Sequence, residues 1–235
     1  MAKAPAEPTA QTERNKVWYL QRNRLFIGAV DDPIEKNEHI FTIVSYPHRT
    51  QIFDQGDSAR IVYFIKKGAV RIVRMTEDGK EVTVAVLGPG DLFGEEMIFA
   101  EQPRTTTAVA IDEVLLCTAQ ADALFTMLSA DPQLALNVAK VLSERLGDAA
   151  ATMEDLAYAK VGDRLMHLFR RLANEHGMRV EDGVRIDVKL THADIASLVG
   201  STRETVSLEL AQLVKAERLR FDDRHAVIPF KEVTE

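Results

Sequence analysis

The sequence predicts an α+β fold with three parts: an N-terminal jelly-roll β-barrel, a long dimerisation helix and a C-terminal winged helix-turn-helix. Short β-rich runs divided by glycine turns fill residues 39–120. A continuous helical pattern follows over residues 131–158, and two short helices with a sharp turn between them are indicated over residues 190–214. A chain in which strands come first and helices later is typical of the α+β class.

The composition indicates a water-soluble protein with a packed core. The 235-residue chain has a net charge of −7, and 46% of its residues are hydrophobic. No run of about 18 apolar residues occurs, and the first residues lack the apolar centre of a secretory signal, so we expect a cytoplasmic protein. The single cysteine, Cys117, excludes an intrachain disulfide and a four-cysteine iron–sulfur cluster, and we expect it to be a buried structural thiol.

The first folded domain is expected over residues 16–130, after a disordered tail of residues 1–15 that is rich in Ala, Pro, Thr and Gln. Residues 16–25 predict a short helix. Seven predicted strands follow: Ile40–Tyr46, Gln51–Phe53, Ile61–Ile65, Ala69–Met75, Glu81–Leu87, Thr105–Ala110 and Val114–Thr118. Asp78-Gly79 between two of them is a strong hairpin signal. Many short antiparallel strands at this spacing predict a jelly roll or small barrel.

Two polar segments of this domain, residues 93–96 (FGEE) and 103–106 (PRTT), resemble the phosphate-binding cassette of cyclic-nucleotide-binding domains. The resemblance implies an anion nest at the Gly94 turn, a ribose contact at Glu95 and phosphate contacts at Arg104 and Thr105. In the alternative interpretation, Arg104 and Glu95 only pair with each other and close the mouth of the barrel. Both interpretations are open from the sequence.

The long helix is expected over residues 131–158, because Asp131-Pro132 is a helix start and no break follows. Apolar residues recur along it at steps of four and three, which is typical of a coiled-coil seam. The predicted seam consists of Leu142, Leu146, Ala149, Met153 and Leu156. We expect it to join two copies of the chain, and packing within one subunit is the alternative.

Residues 159–235 are predicted to form the winged helix-turn-helix. An amphipathic helix is expected from Asp163 to Glu175, with a strand over residues 184–188. Thr191 with Asp194, and Ser201 with Glu204, form two capping boxes, so each pair starts a short helix. Gly200 supplies the left-handed backbone of the turn between the two helices. Residues 218–221 and 226–228 predict a hairpin, which would be the wing.

The segment Gly200–Ser207, GSTRETVS, resembles the DNA-reading signature of the CRP/FNR family of bacterial transcription regulators. The resemblance covers about residues 20 to 230, with barrel cassette, long helix and helix-turn-helix in the family's order. It implies a homodimer that binds a palindromic promoter site, with double-stranded DNA and RNA polymerase as partners and no enzymatic activity. The rival hypothesis is a cyclic-nucleotide sensor that regulates a partner protein through its C-terminal helices.

The second short helix is the expected DNA-reading element. Arg203 can donate two hydrogen bonds to guanine, and Glu204 can accept one from cytosine. The family commonly has an arginine where this chain has Leu208, which could meet a thymine methyl group instead. Contacts to the DNA backbone are expected from hydroxyl and basic side chains: Thr191, Ser201, Thr202, Ser207, Lys189 and Arg220. From Ala159 onward the chain has 13 basic and 13 acidic residues, so the whole acidic excess lies in the first 158 residues.

A cyclic nucleotide is the one cofactor that the sequence suggests, and two residues argue against cyclic AMP. In the cyclic-AMP receptors of the family, a Thr-Ser pair on the long helix contacts the purine. Ala149 and Ala150 occupy those places here and cannot donate hydrogen bonds. The six histidines show no metal-ligand spacing, so no metal site is expected.

Overall fold

The computed structural model describes residues 19–21, 23–29, 33–79, 81–99, 102–223 and 225–233. The predicted tail of residues 1–15 and most of the predicted helix over residues 16–25 lie outside the described residues. The chain divides into two compact units, residues 1–79 with 86–146 and residues 80–85 with 147–235. The boundary at residue 146 falls inside the long helix, a division that the uninterrupted helical pattern does not predict.

The described part of residues 41–120 forms two four-stranded sheets. One sheet has the order β1-β8-β3-β6 and the other the order β2-β7-β4-β5. The strands are β1 Phe41–Tyr46, β2 Gln51–Phe53, β3 Ile61–Lys67, β4 Val70–Met75, β5 Glu81–Leu87, β6 Leu92–Phe93, β7 Thr107–Ala110 and β8 Val114–Gln120. This arrangement confirms the predicted N-terminal β-sheet domain, and every predicted strand is present with its ends shifted by at most two residues.

Helices cover one face of the first sheet. Helix α1 spans Pro33–Lys36, a single 3₁₀ turn follows at Glu38–Ile40, α2 spans Glu96–Phe99 and α3 spans Ala121–Ala130. The long helix, α4, spans Pro132–Tyr158 and begins one residue after the predicted start at Asp131. Its first half buries Leu134, Val138 and Val141 against a cluster that contains Phe64 of β3 and Cys117 of β8. Cys117 is therefore a buried free thiol, as expected.

Alternate residues of β3 serve two different layers. Val62 and Phe64 point into the cluster beneath the helices. Tyr63, between them, stacks on Phe93 with ring centroids 4.8 Å apart and contacts Phe53 on the other side of the strand. The period-2 alternation of a strand thus places Tyr63 in one layer, with Phe53 and Phe93, and Val62 and Phe64 in the layer beneath the helices.

The described part of the second unit combines a small sheet with several helices. After α4, helix α5 spans Val161–His176 and buries Leu165, Leu168, Phe169 and Leu172, the inward face that the sequence predicts. The four-stranded sheet has the order β11-β12-β10-β9. Its strands are β9 Gly177–Val180, β10 Gly183–Ile186, β11 Arg220–Asp222 and β12 His225–Pro229, and the short helices are α6 His192–Leu198, α7 Arg203–Lys215 and α8 Phe230–Val233. The predicted wing corresponds to β11 and β12.

A buried carboxylate links the last helix, α8, to the rest of this unit. Glu232 of α8 accepts hydrogen bonds from Arg218, at 3.1 Å from Nη2, and from Arg170, at 3.3 Å. The pKa of the Glu232 carboxyl is lower than usual, and the hydrogen bonds from Arg218 are the largest cause. The two arginines therefore stabilise the ionised form of Glu232 and join α8 to α5 and to the segment before the wing.

No helix in the described residues has both the length and the apolar character needed to cross a membrane. No group of three or more His, Cys, Asp or Glu side chains with the geometry of a metal site occurs in that part of the chain.

Candidate functional site

The first helix of the predicted helix-turn-helix begins with the expected capping box. The Thr191 side chain accepts a hydrogen bond from the backbone N–H of Asp194 at 3.2 Å, and the Asp194 carboxylate accepts one from the backbone N–H of Thr191 at 2.9 Å. The helix, α6, ends at Leu198. Gly200 follows with φ of 58°, the left-handed conformation that glycine adopts without steric cost.

The second capping prediction is wrong by one residue. Helix α7 begins at Arg203, and its cap is Thr202, whose hydroxyl accepts from the backbone N–H of Thr205 at 3.2 Å. Ser201 instead donates its backbone N–H to the carbonyl of Ala196 at 2.9 Å and thereby closes the turn that Gly200 opens. Because Ser201 belongs to the turn, Glu204 has no role in a capping box.

Helix α7 presents one polar face and buries the other. Val206, Leu210 and Leu213 are buried against the rest of the unit. Arg203 and Glu204 are exposed in the first turn. Leu208, one turn further on, is 67% exposed. The structure therefore puts the three predicted base-reading residues on the solvent side of one helix, while the buried side chain of Val206 holds that helix in place.

A polar chain of three residues runs beside this face. The Nδ1 atom of His192 lies 2.8 Å from the hydroxyl of Ser207, and that hydroxyl donates to the carbonyl of Arg203 at 2.8 Å. Sequence reasoning missed the first contact, because His192 and Ser207 are 15 positions apart and belong to different helices.

The two basic residues predicted to meet the DNA backbone are paired within the chain. Lys189 lies 3.2 Å from a carboxylate oxygen of Asp223, and Arg220 donates two hydrogen bonds to Asp182, the shorter of them 2.6 Å. The Arg220 hydrogen bonds lower the pKa of the Asp182 carboxyl. All four side chains are accessible to water, so these are surface ion pairs of the kind that contribute little stability and exchange readily with other partners.

In the barrel, Arg104 is buried and its charge is balanced by Glu96. Its guanidinium lies 4.0 Å from the centre of the Phe53 ring, and its Nη1 atom is 3.2 Å from a Glu96 carboxylate oxygen. A second nitrogen, Nη2, donates to the backbone carbonyl of Ile61. Gly94 has φ of 77°, and a Cβ atom there would collide with the guanidinium, so the cassette glycine makes room for this arginine.

Glu95, the predicted ribose contact, forms an ion pair with Arg145 of α4. Arg145 also donates to the backbone carbonyl of Leu92. The alternative in which Glu95 pairs with Arg104 is therefore wrong, because each of the two residues has a different partner. Thr105, the other predicted phosphate contact, is exposed.

Sequence reasoning missed both of these partners. Glu96 carried a usable signal, since a second carboxylate directly after Glu95 in a predicted anion site opposes the binding of an anion. Arg145 carried no such signal, because its 50-residue separation from Glu95 is closed only by the docking of α4 on the barrel.

The predicted seam faces solvent along α4. Leu146 is 72% exposed and Met153 is 69% exposed, and Leu142, Ala149 and Leu156 are exposed as well. Leu156 also approaches the turn at Gly200, where an added Cβ atom would lie 2.6 Å from its Cδ2 atom. The seam residues therefore form an apolar stripe that the subunit does not use for its own core.

Comparisons with known proteins match two parts of the chain to known families. A model of the cyclic nucleotide-binding domain family matches residues 43–131, and a model of the Crp-like helix-turn-helix domain family matches residues 163–230. The chain is 31% identical over 209 residues to the CRP-like cAMP-activated global transcriptional regulator of Mycobacterium tuberculosis, covering 89% of this chain and 93% of that protein.

A second relative and a solved structure show the same likeness. The global nitrogen regulator of Synechocystis sp. is 36% identical over 173 residues, which cover 73% of this chain and 77% of that protein. The structure of FixK2 from Bradyrhizobium japonicum has a TM-score of 0.71 and 25% identity, covering 80% of this chain and 92% of that chain.

Proposed function

Because the chain belongs to the CRP/FNR family of transcriptional regulators, we propose that it is a homodimer that binds a palindromic promoter site without needing cyclic AMP. The relatives that it matches are named as transcriptional regulators, in line with a protein that has no catalytic activity. The observation that carries the proposal is the exposed polar face of α7, with Arg203 and Glu204 in its first turn and a buried stripe behind it. A recognition helix that enters the major groove presents this arrangement.

The base contacts follow from the chemistry of three side chains. Arg203 donates two hydrogen bonds to the edge of a guanine, and Glu204 accepts one from a cytosine amino group. Leu208 cannot read guanine and meets a thymine methyl group instead. We therefore expect a half-site that keeps the G·C pairs read by Arg203 and Glu204 and that differs from the family consensus at the neighbouring step.

Contacts to the DNA backbone complete the proposed interface between α7 and the operator. Thr202 lies at the start of the 13-residue helix α7, where the backbone N–H groups favour a phosphate, and Ser201 and Thr191 add hydroxyl groups nearby. Lys189 and Arg220 exchange their surface carboxylates for DNA phosphates. Since residues 159–235 carry no net charge, nonspecific attraction to DNA is weak and specificity rests on the base contacts.

The dimer is supported by the exposed apolar stripe of α4. Two stripes packed against each other would remove Leu146 and Met153 from water, which an isolated subunit cannot do. Such a pair presents two copies of α7 about 34 Å apart, the separation of successive half-sites on one face of DNA. Bound at a promoter in this way, the dimer has RNA polymerase as its expected protein partner.

Independence from cyclic AMP is supported by the charge balance in the barrel. The phosphate of a cyclic nucleotide would need the Arg104 guanidinium, which Glu96 already neutralises. The ribose would need Glu95, which is paired with Arg145. Ala149 and Ala150 have no hydrogen-bond donor for a purine. The residues present therefore do not fit cyclic AMP, although relatives include a regulator that is named as cAMP-activated.

Binding-site selection from a pool of randomised duplexes, without cyclic nucleotide, tests the DNA-binding part of the proposal. The expected result is one palindrome. Arg203→Ala should then lower affinity for it by about 30-fold or more, since each arginine–guanine pair contributes about 1–3 kcal/mol of discrimination and the dimer has two.

The matched control is Lys215→Ala, which removes the same charge from the opposite end of α7 and should leave affinity nearly unchanged. Equal losses in the two variants would contradict base reading by Arg203. No selected sequence at all would favour the rival hypothesis of a sensor that regulates a partner protein.

A further inference from the structure

We propose that His192 is an additional DNA-binding residue, which holds a backbone phosphate only when its imidazole is protonated. Binding of the dimer to its operator would then take up a proton at each half-site. The inference rests on the proposed function and specifies which contact makes it depend on pH.

The geometry around Ser207 assigns the protons. The Ser207 hydroxyl has one hydrogen, and it donates that hydrogen to the Arg203 carbonyl at 2.8 Å. The His192 Nδ1 atom, 2.8 Å from the same hydroxyl oxygen, must therefore be the donor in that contact. In the neutral ring the proton is consequently on Nδ1, and Nε2 carries a lone pair.

The state of Nε2 decides whether His192 attracts or repels DNA. His192 is exposed at the start of α6, beside the polar face of α7. A neutral ring held in this tautomer presents a lone pair, which is repelled by a phosphate oxygen. The imidazolium presents an N–H and a positive charge, and a hydrogen bond with both is about twice as strong as a neutral one. Histidine is the side chain whose charge state can change within the physiological pH range.

The charged groups around His192 do not by themselves favour the protonated form of its imidazole. On its own segment, the Asp194 carboxylate binds Thr191 through its backbone N–H at 2.9 Å and its hydroxyl at 2.6 Å. Lys189 is paired with Asp223 of the wing. From α7, Arg203 and Glu204 contribute opposite charges. The phosphate is thus the group whose arrival favours the imidazolium.

The test is operator affinity at fixed salt between pH 6 and pH 8. The wild-type dimer should bind at least about 10-fold more tightly at pH 6 than at pH 8, with a slope that approaches one proton per half-site. Its salt dependence should also be steeper at pH 6, by close to two units of log affinity per log salt, because two more phosphates are neutralised.

Three variants isolate the residue. His192→Gln should bind with the same affinity at both pH values, and His192→Arg should remain tight at pH 8 because its charge is permanent. Ser207→Ala should reduce the pH slope, since the neutral ring is then free to place its proton on Nε2. His167→Gln is the control, because His167 is an exposed histidine of α5 paired with Asp155, and it should keep the wild-type slope.

A wild-type affinity that does not change with pH, or a slope that persists in His192→Gln, would overturn the inference. An unchanged slope in Ser207→Ala would contradict the tautomer that the geometry assigns. Absence of operator binding at every pH, in the wild type and in His192→Arg alike, is a different outcome, because it would contradict the proposed function itself.

Discussion

The buried guanidinium of Arg104 depends on a carboxylate that lies eight positions before it in the chain. Arg104 is 2% exposed, stacks on Phe53 and has Glu96 as its counter-ion. A buried charge that loses its partner is strongly destabilising, so the pair stabilises the barrel as a unit. The same pairing neutralises the cation that an anionic effector would need.

Replacing Glu96 tests this role at the level of one residue. Glu96→Gln should destabilise the first unit by about 1–3 kcal/mol, less than for a fully buried pair because Glu96 is partly exposed. Cyclic AMP should raise the thermal midpoint of the variant, since its phosphate can replace the lost carboxylate, and leave the wild type unchanged. Glu113→Gln, at an exposed turn between β7 and β8, is the control. Equal stabilisation of wild type and Glu96→Gln by cyclic AMP would contradict the account.

Residue-level predictions from the sequence succeeded where the partners are close in the chain. The Thr191 cap was predictable because Asp194 is three positions away. The cap of α7 was not, because Ser201 and Thr202 are adjacent hydroxyl residues and the turn at Gly200, closed by the Ser201–Ala196 hydrogen bond, decides between them. The pairing of Glu95 with Arg145 requires the tertiary fold.

At the level of single elements, the long helix α4 has two different structural roles along its length. Its first half buries Leu134, Val138 and Val141 in the core of the first unit. Further along, the apolar stripe with Leu146 and Met153 is exposed. Exposed apolar residues at steps of four and three along a helix are the expected contact surface of a coiled-coil dimer.

A charge in the stripe tests the proposed dimer. Leu146→Glu should convert the dimer to a monomer in sedimentation experiments and lower operator affinity by about 100-fold or more, because a monomer engages one half-site at a time. Lys140→Glu, about 120° round the same helix and exposed, should remain dimeric. A dimer that survives Leu146→Glu would show that another surface joins the subunits.

Elements with a clear period were predictable, and the ones that were missed lack one. The ends of α4 agree with the sequence prediction within one residue, and strands such as β2 and β5 agree to the residue. The strand β6 has only two residues, too few for a pattern. The strand β9 is mostly exposed and does not alternate, so only its pairing with β10 defines it.

At the scale of the whole molecule, the order of the domains follows from changes in the periodicity of the apolar residues along the sequence. The barrel, long helix and winged helix-turn-helix were predictable because β-rich runs give way to helical periodicity near Asp131. The partners of Arg104 and Glu95 do not follow from that order, because two ion pairs of the folded barrel define them.

The measurement that tests the central claim most directly is the affinity of the full-length protein for its selected palindrome, with and without saturating cyclic AMP at about 0.1 M salt. If the ion pairs of Arg104 and Glu95 in the barrel take the place of a bound effector, cyclic AMP should not change the affinity for DNA. The two affinities should then agree within about twofold, since a ligand with no preference between states shifts no equilibrium. A rise of about 100-fold with cyclic AMP, equivalent to about 2.7 kcal/mol of coupling between the two sites, would contradict it.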